Sequence, residues 1–286
     1  MMKLSEIFTF FLSSNIFVSI CVVALCQSTA IILSVNINYL LPFVFFSSLF
    51  CYNFLRIIRF SYFFNQKEHG VKSMSKVNQY ITIISLVFTI YFSRTITSDS
   101  IAILLPAILL TLLYPIKLSI FRYSISLREL PTFKLFIIAF VWSVVTVLLV
   151  ANEHHILFSW EVLVLFLSRF FFVVAITIPF DIRDVKYDLP AMKTIPQRFG
   201  IDRAKMISLF FLALFEILTI VHFIFFDFHF SLLIGLLLCS MLSGFLIYKT
   251  EANSSDFHFS FWIEGLSLLM LILLFFIPTA FGIFAL

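Results

Sequence analysis

Three aspartates, Asp181, Asp184 and Asp188, stand three and four residues apart in the segment PFDIRDVKYDLPAMKTIPQRFG, which runs from Pro179 to Gly200. On a helix these positions share one face. Pro179 and Pro190 bracket them. A proline is tolerated early in a helical turn and stops a helix shortly past its end, so residues 181–189 are expected to extend an apolar helix briefly. Three carboxylates on one face repel unless cations join them. Two readings follow. In one, they are solvated loop charges paired with Arg183, Lys186, Lys193 or Arg198. In the other, they hold a divalent metal. Magnesium takes a few carboxylates and leaves positions for water and phosphate oxygens. A metal held in this way neutralises a departing diphosphate. The spacing is moderately specific, since acidic triplets also arise by chance.

The elements that must position these residues are strongly apolar. Of 286 residues, 62% are hydrophobic and 12% charged, against about a quarter charged in a soluble domain. Mean hydropathy is +1.12. Nine apolar runs stand out, at 12–34, 40–63, 78–96, 100–116, 132–151, 159–180, 206–226, 230–249 and 259–284, most of them near the ~20 residues a helix needs to cross a bilayer. The expected fold is all-α: a polytopic membrane bundle of about nine transmembrane helices, with residues 1–286 as a single domain. The first run follows Lys3 and lacks a small-residue cleavage pattern, so it reads as a retained span. Cys21, Cys26, Cys51 and Cys239 lie in apolar runs and read as packing residues. The 41 phenylalanines read as lipid-facing packing. His154 and His155, beside Glu153, read as a solvated outer loop. Nothing in the charge pattern points to nucleic acid.

Basic residues sort to one face. They lie before span one (Lys3), between spans two and three (Lys67, Lys72, Lys76), between four and five (Lys117, Arg122, Arg128, Lys134), between six and seven (Arg183 to Lys205) and after eight (Lys249). The opposite face has Arg94. By the positive-inside rule the basic face is cytoplasmic, with the N-terminus inside and the C-terminus outside a cytoplasmic membrane. Arg56, Arg59 and Arg169 fall inside spans two and six, where an ionisable group usually faces the bundle interior or an aqueous cavity. Spans two and six both end on the basic face with unusual polar residues, YNFLRIIRF and FDIRDVKYD. Four spans separate them. This predicts two parallel four-helix halves plus a final helix.

The run DIRDVKYD followed by KTIPQRFG resembles the second aspartate-rich motif of the UbiA superfamily of intramembrane prenyltransferases, and YPIK (Tyr114 to Lys117) resembles a family segment between helices four and five. The resemblance implies nine transmembrane helices. It also implies transfer of an isoprenoid chain from an allylic prenyl diphosphate to an aromatic or lipid acceptor, with Asp181, Asp184 and Asp188 as catalytic magnesium ligands. Lys117, Lys193 and Arg198 would approach the diphosphate. The family's first motif, Asn-Asp-x-x-Asp-x-x-x-Asp at the end of helix two, survives only as Asn53. Phe54, Ile57 and Ser61 stand where its aspartates would fall, so one magnesium site of two is expected to remain. Arg56 and Arg59 stand nearby, and a guanidinium holds phosphate oxygens bidentately without a metal. Two expectations follow for them: they take the missing metal's part, on the diphosphate or by pairing with Asp181 or Asp184, or Arg59 snorkels to the surface and Arg56 pairs structurally elsewhere. The expectation is a magnesium-dependent prenyltransferase. The alternatives are a catalytically inactive homologue that binds prenyl lipid or scaffolds a biosynthetic partner, and a transporter, which parallel repeats and buried charge also suit.

Overall fold

The computed structural model describes residues 4–64, 76–114, 117–120, 123–126, 133–188 and 192–280. Among the described residues the regular structure is helical apart from one antiparallel hairpin, β1 (Lys117–Ile120) with β2 (Tyr123–Ser126), between α5 (Ser98–Leu113) and α6 (Phe133–Ser143). The sequence reading had only a basic loop there.

Helix α4 (Lys76–Phe92) shows what solvent the fold is built for. Its buried residues are Asn78, Thr82 and Ser85, one stripe at helical spacing. Its outward face carries Ile83, Ile84, Val87, Ile90 and Tyr91, each more than half exposed. A surface helix in water has the reverse arrangement. An apolar outside and a hydroxyl-lined inside suit a hydrocarbon surround, where polar side chains find their partners within the bundle. Helix α10 (Ile201–Phe225) follows the same pattern, with Ser208, Thr219 and His222 inside and Phe210, Ile217 and Ile224 outside.

The described part of each of the nine apolar runs falls mainly on helix. Six helical stretches are long and apolar enough to cross a membrane: Leu41–Ile58 within α3 (Leu41–Phe64), Phe133–Glu153, α8 (Trp160–Asp184), α10, α11 (Phe230–Tyr248) and His258–Ala280. The second of these comprises α6 (Phe133–Ser143), a π turn at Val144–Leu148 and α7 (Leu149–Glu153). The last opens with a π turn at His258–Ile263 and continues as α12 (Glu264–Ala280). Helices α2 (Ile16–Ile32) and α5 (Ser98–Leu113) are apolar but shorter. Two short helices, α1 (Leu4–Ser13) and α9 (Ile195–Phe199), complete the set.

Helix α8 packs between α6 and α10, α10 against α11, and α11 against α12. Helix α12 returns to pack on α2, which also meets α3, so the ends of the chain close the bundle. Close approach needs small residues: a Cβ on Gly235 would lie 3.4 Å from the Leu273 carbonyl oxygen across the α11–α12 contact.

Pro179 lies inside α8, two residues before Asp181. It has no N–H, so the Ala175 carbonyl loses its helical donor. The Ser208 hydroxyl of α10 donates to that carbonyl at 2.6 Å. In a membrane interior such a freed carbonyl must be met from a neighbouring helix. Ser208→Ala is therefore expected to cost about 1–3 kcal/mol. The cost should shrink in a Pro179→Ala background, where residue 179 regains its own N–H. Thermal unfolding of the four variants in one detergent measures this, and equal losses in both backgrounds would contradict it.

Candidate acidic site at the end of α8

Ser159 caps α8, its hydroxyl accepting from the Val162 N–H at 3.2 Å. The 25 residues that follow rise about 37 Å, so the last turn of α8 reaches a membrane boundary if its start lies near the other one. Beyond Asp184 the chain does not continue as helix. It makes a turn in which the Tyr187 and Asp188 N–H groups both donate to the Asp184 carbonyl at 2.8 Å. That turn brings Asp188 back beside Asp181.

The two carboxylates meet on one cation. Lys134, at the start of α6, places Nζ 2.7 Å from Asp181 Oδ1 and 3.2 Å from Asp188 Oδ2. All three side chains are largely buried, at 12% exposure for Lys134, 4% for Asp181 and 9% for Asp188. Such burial makes the interaction consequential, because removing one member leaves buried charge uncompensated. Asp181 Oδ2 is buried without a hydrogen-bond partner. Asp184 goes elsewhere. Arg183 grips it with Nε at 2.7 Å and Nη2 at 3.1 Å, while its guanidinium carbon lies 5.3 Å from the Phe180 ring centre. The structure therefore brings together two of the three aspartates. Among the described residues, no three His, Cys, Asp or Glu side chains converge as a metal-holding group.

The following segment is tied to the same turn. The Thr194 N–H donates to Gln197 Oε1 at 3.0 Å, and Gln197 Nε2 donates to the Asp188 carbonyl at 3.0 Å. Gly200, at φ 85, then breaks α9 from α10 in a conformation that L side chains rarely adopt. Lys193 and Arg198 are exposed. Lys186 Nζ donates to Asn253 Oδ1 at 2.7 Å rather than to an aspartate.

Asn53 and Arg56 form a second polar cluster, at the α1–α2 corner. Asn15 sits there in the left-handed region, φ 64. Asn53, fully buried, accepts from Asn15 Nδ2 at 3.1 Å and donates to the Ser14 and Leu49 carbonyls at 3.0 Å. Arg56 donates to the Ser13 carbonyl and, at 3.1 Å, to Asn15 Oδ1. The bonds to the Ser13 and Ser14 carbonyls satisfy groups that the corner leaves without helical partners. Arg59 lies on α3 and Lys117 opens β1. Their side chains lie outside the described residues, as does Pro190.

Sequence reasoning counted Lys134 among the basic loop residues and did not pair it. The available signal was that buried carboxylates at one helix end require a cation, and Lys134 begins a span on the same face. It also passed over Tyr52, Trp142 and Glu264. The Trp142 Nε1–H donates to the Tyr52 hydroxyl at 2.9 Å. Glu264, on α12, is within electrostatic reach of both Arg183 and Tyr52. These side chains relate the α8 end to α3, where Asn53 follows Tyr52. Glu153 at the opposite end accepts from Thr97, Ser100 and Tyr39. It clamps α5 and the start of α3 to α7.

Comparison with protein-family models, curated proteins and solved structures finds no match to this chain.

Proposed function

We propose that the chain is an intramembrane prenyltransferase-like enzyme of the UbiA type, moving an isoprenoid chain from an allylic prenyl diphosphate to a hydrophobic or aromatic acceptor. The observation that carries the reading is the convergence of Asp181 and Asp188 on one cation at the end of α8. It stands in the run whose spelling resembles the family's second motif. Carboxylates are the oxygen donors magnesium takes. Asp181 and Asp188 are the residues that would hold it, since they already share a cation and the buried Asp181 Oδ2 has acceptor capacity left. When bound, the ion would neutralise charge on the diphosphate oxygens. Asp184 lies apart from that pair and orients Arg183.

The remaining steps fall to the chain's own groups. Lys134 and Arg183 offer positive charge to the leaving diphosphate. The bond between the allylic carbon and the diphosphate oxygen breaks, its electron pair staying with oxygen. The acceptor's nucleophilic atom bonds to that carbon, and its proton leaves to solvent or a base. The apolar bundle excludes water from the allylic cation and offers it aromatic faces.

The same reading takes all nine apolar runs as spans, in two parallel four-helix halves plus a final helix, in a cytoplasmic membrane. The inside-out character of α4 supports counting it, although it falls short of the length of the six long spans. Lys193 and the fully exposed Phe158 flank α8. A membrane-impermeant thiol reagent is expected to reach Lys193→Cys from the cytoplasmic side and Phe158→Cys from the other. Labelling of both from one side would contradict the topology.

A specific observation favours a second reading, a lipid-binding homologue without catalysis. Lys134 already fills the cation position, and Asn53 and Arg56 are engaged at the α1–α2 corner. Equilibrium binding of labelled prenyl diphosphates of several lengths, with magnesium and with chelator, tests the proposal. Magnesium-enhanced binding supports the enzyme, magnesium-indifferent binding supports the lipid binder, and no binding at any length rejects both.

A further inference from the structure

Arg169 lies about 14 Å along α8 from Trp160 and about 22 Å before Asp184, in the apolar middle of the helix and away from the acidic site. It is 2% exposed. A guanidinium stays protonated in a protein and has five N–H donors. Here Nη1 donates to Met270 Sδ and Nη2 to Thr29 Oγ1, both at 3.2 Å. Nε is buried and has no partner. Both partners are neutral. Cys26 and Cys239 are within electrostatic reach, but their Sγ atoms face the backbone carbonyls of Val145 and Leu266 at 3.6 and 3.8 Å as donors, which makes them thiols. Among the described residues Arg169 makes no ion pair. An uncompensated buried cation is costly, and more so where the surround is hydrocarbon.

Arg169 lines a small, partly open cavity of about 10 Å³, together with Ser168, Thr219 and His222 among apolar neighbours. Among the described residues no carboxylate lines it. Glu161 meets one lining residue, His222, whose Nε2 lies 3.2 Å from its carboxylate. A cavity of about this volume holds one water-sized particle. We infer that it is a binding site for a single-atom monovalent anion, a halide, seated against the Arg169 Nε–H. Among common anions a halide comes closest to that size. The bound ion supplies the missing negative charge and accepts from the orphaned donor.

The full chain, purified in detergent, is heated in sodium gluconate, chloride or bromide at one ionic strength. Halide is expected to raise the wild-type Tm by about 3 °C at saturation, because a ligand that binds only the folded state stabilises it. Arg169→Met removes the charge, and Ser168→Leu fills the cavity while keeping it. Both are expected to lose the halide response. Ser168→Leu also preserves the test if Arg169→Met fails to fold. A wild-type Tm indifferent to halide would overturn the inference, as would a response that persists undiminished in Ser168→Leu. In crystals soaked with bromide, an anomalous peak beside Arg169 Nε is expected, and its absence would likewise overturn the site.

Discussion

Lys134→Met is expected to destabilise the protein by about 3–5 kcal/mol, the usual cost of removing one member of a buried ion pair. The methionine matches the lysine stem but leaves Asp181 and Asp188 facing each other without a cation. Both are more than nine-tenths buried. Surface ion pairs contribute at most about 1 kcal/mol, so the size of the loss discriminates between a buried seat and a solvated loop. Replacing one acid as well should restore part of the loss, since Lys134→Met with Asp188→Asn has one buried charge fewer. If the seat also accepts magnesium, millimolar magnesium should raise the Tm of Lys134→Met more than that of the wild type. Thermal unfolding of the three proteins with and without magnesium measures both effects. A loss below about 1 kcal/mol would show that the cluster is solvated.

Asp181→Asn is expected to lower magnesium-dependent prenyl diphosphate affinity by about 100-fold, the upper range for loss of a key group around a metal site. The amide keeps the size of the carboxylate and removes its charge. Asp184→Asn should behave differently. Asp184 is about one-third exposed and pairs with its neighbour Arg183, so its stability effect should stay within about 0.5 kcal/mol and its binding effect should be the smaller of the two. The ranking Asp181 above Asp184 comes from the geometry, because the spacing alone treats the two alike. Equal losses in both variants would mean that Asp184 leaves Arg183 when ligand binds.

The apolar runs made the helices legible, because about 20 apolar residues in a row have few alternatives to helix in a membrane. The run at 132–151 appears as Phe133–Glu153, and the run at 230–249 as Phe230–Tyr248. The π turns were not legible, since a single added residue per turn leaves hydropathy unchanged. Nor was the hairpin in the basic loop after α5. In the site, the spacing of the aspartates was readable but their partners were not. Lys134 lies 54 residues before Asp188, and only the packing of α6 on α8 brings them together. Asn53 drew attention through a resemblance, and Arg56 as a charge inside an apolar run. Their hydrogen bonds follow from a corner at Asn15 that an apolar pattern does not announce. Arg169 was visible as a charge in a span, while its lack of a carboxylate partner among the described residues is a property of the packed bundle.

The central claim is that the α8 end supports chemistry on a prenyl diphosphate, and release of inorganic diphosphate tests it most directly. Purified wild-type protein in lipid nanodiscs is incubated with an allylic prenyl diphosphate, magnesium and a panel of aromatic and lipid acceptors, with Asp181→Asn run in parallel. The account predicts time-dependent diphosphate release by the wild type, absent in Asp181→Asn and abolished by chelator. Prenyl diphosphate that binds but stays intact with every acceptor would contradict catalysis and leave the lipid-binding homologue as the reading of this fold.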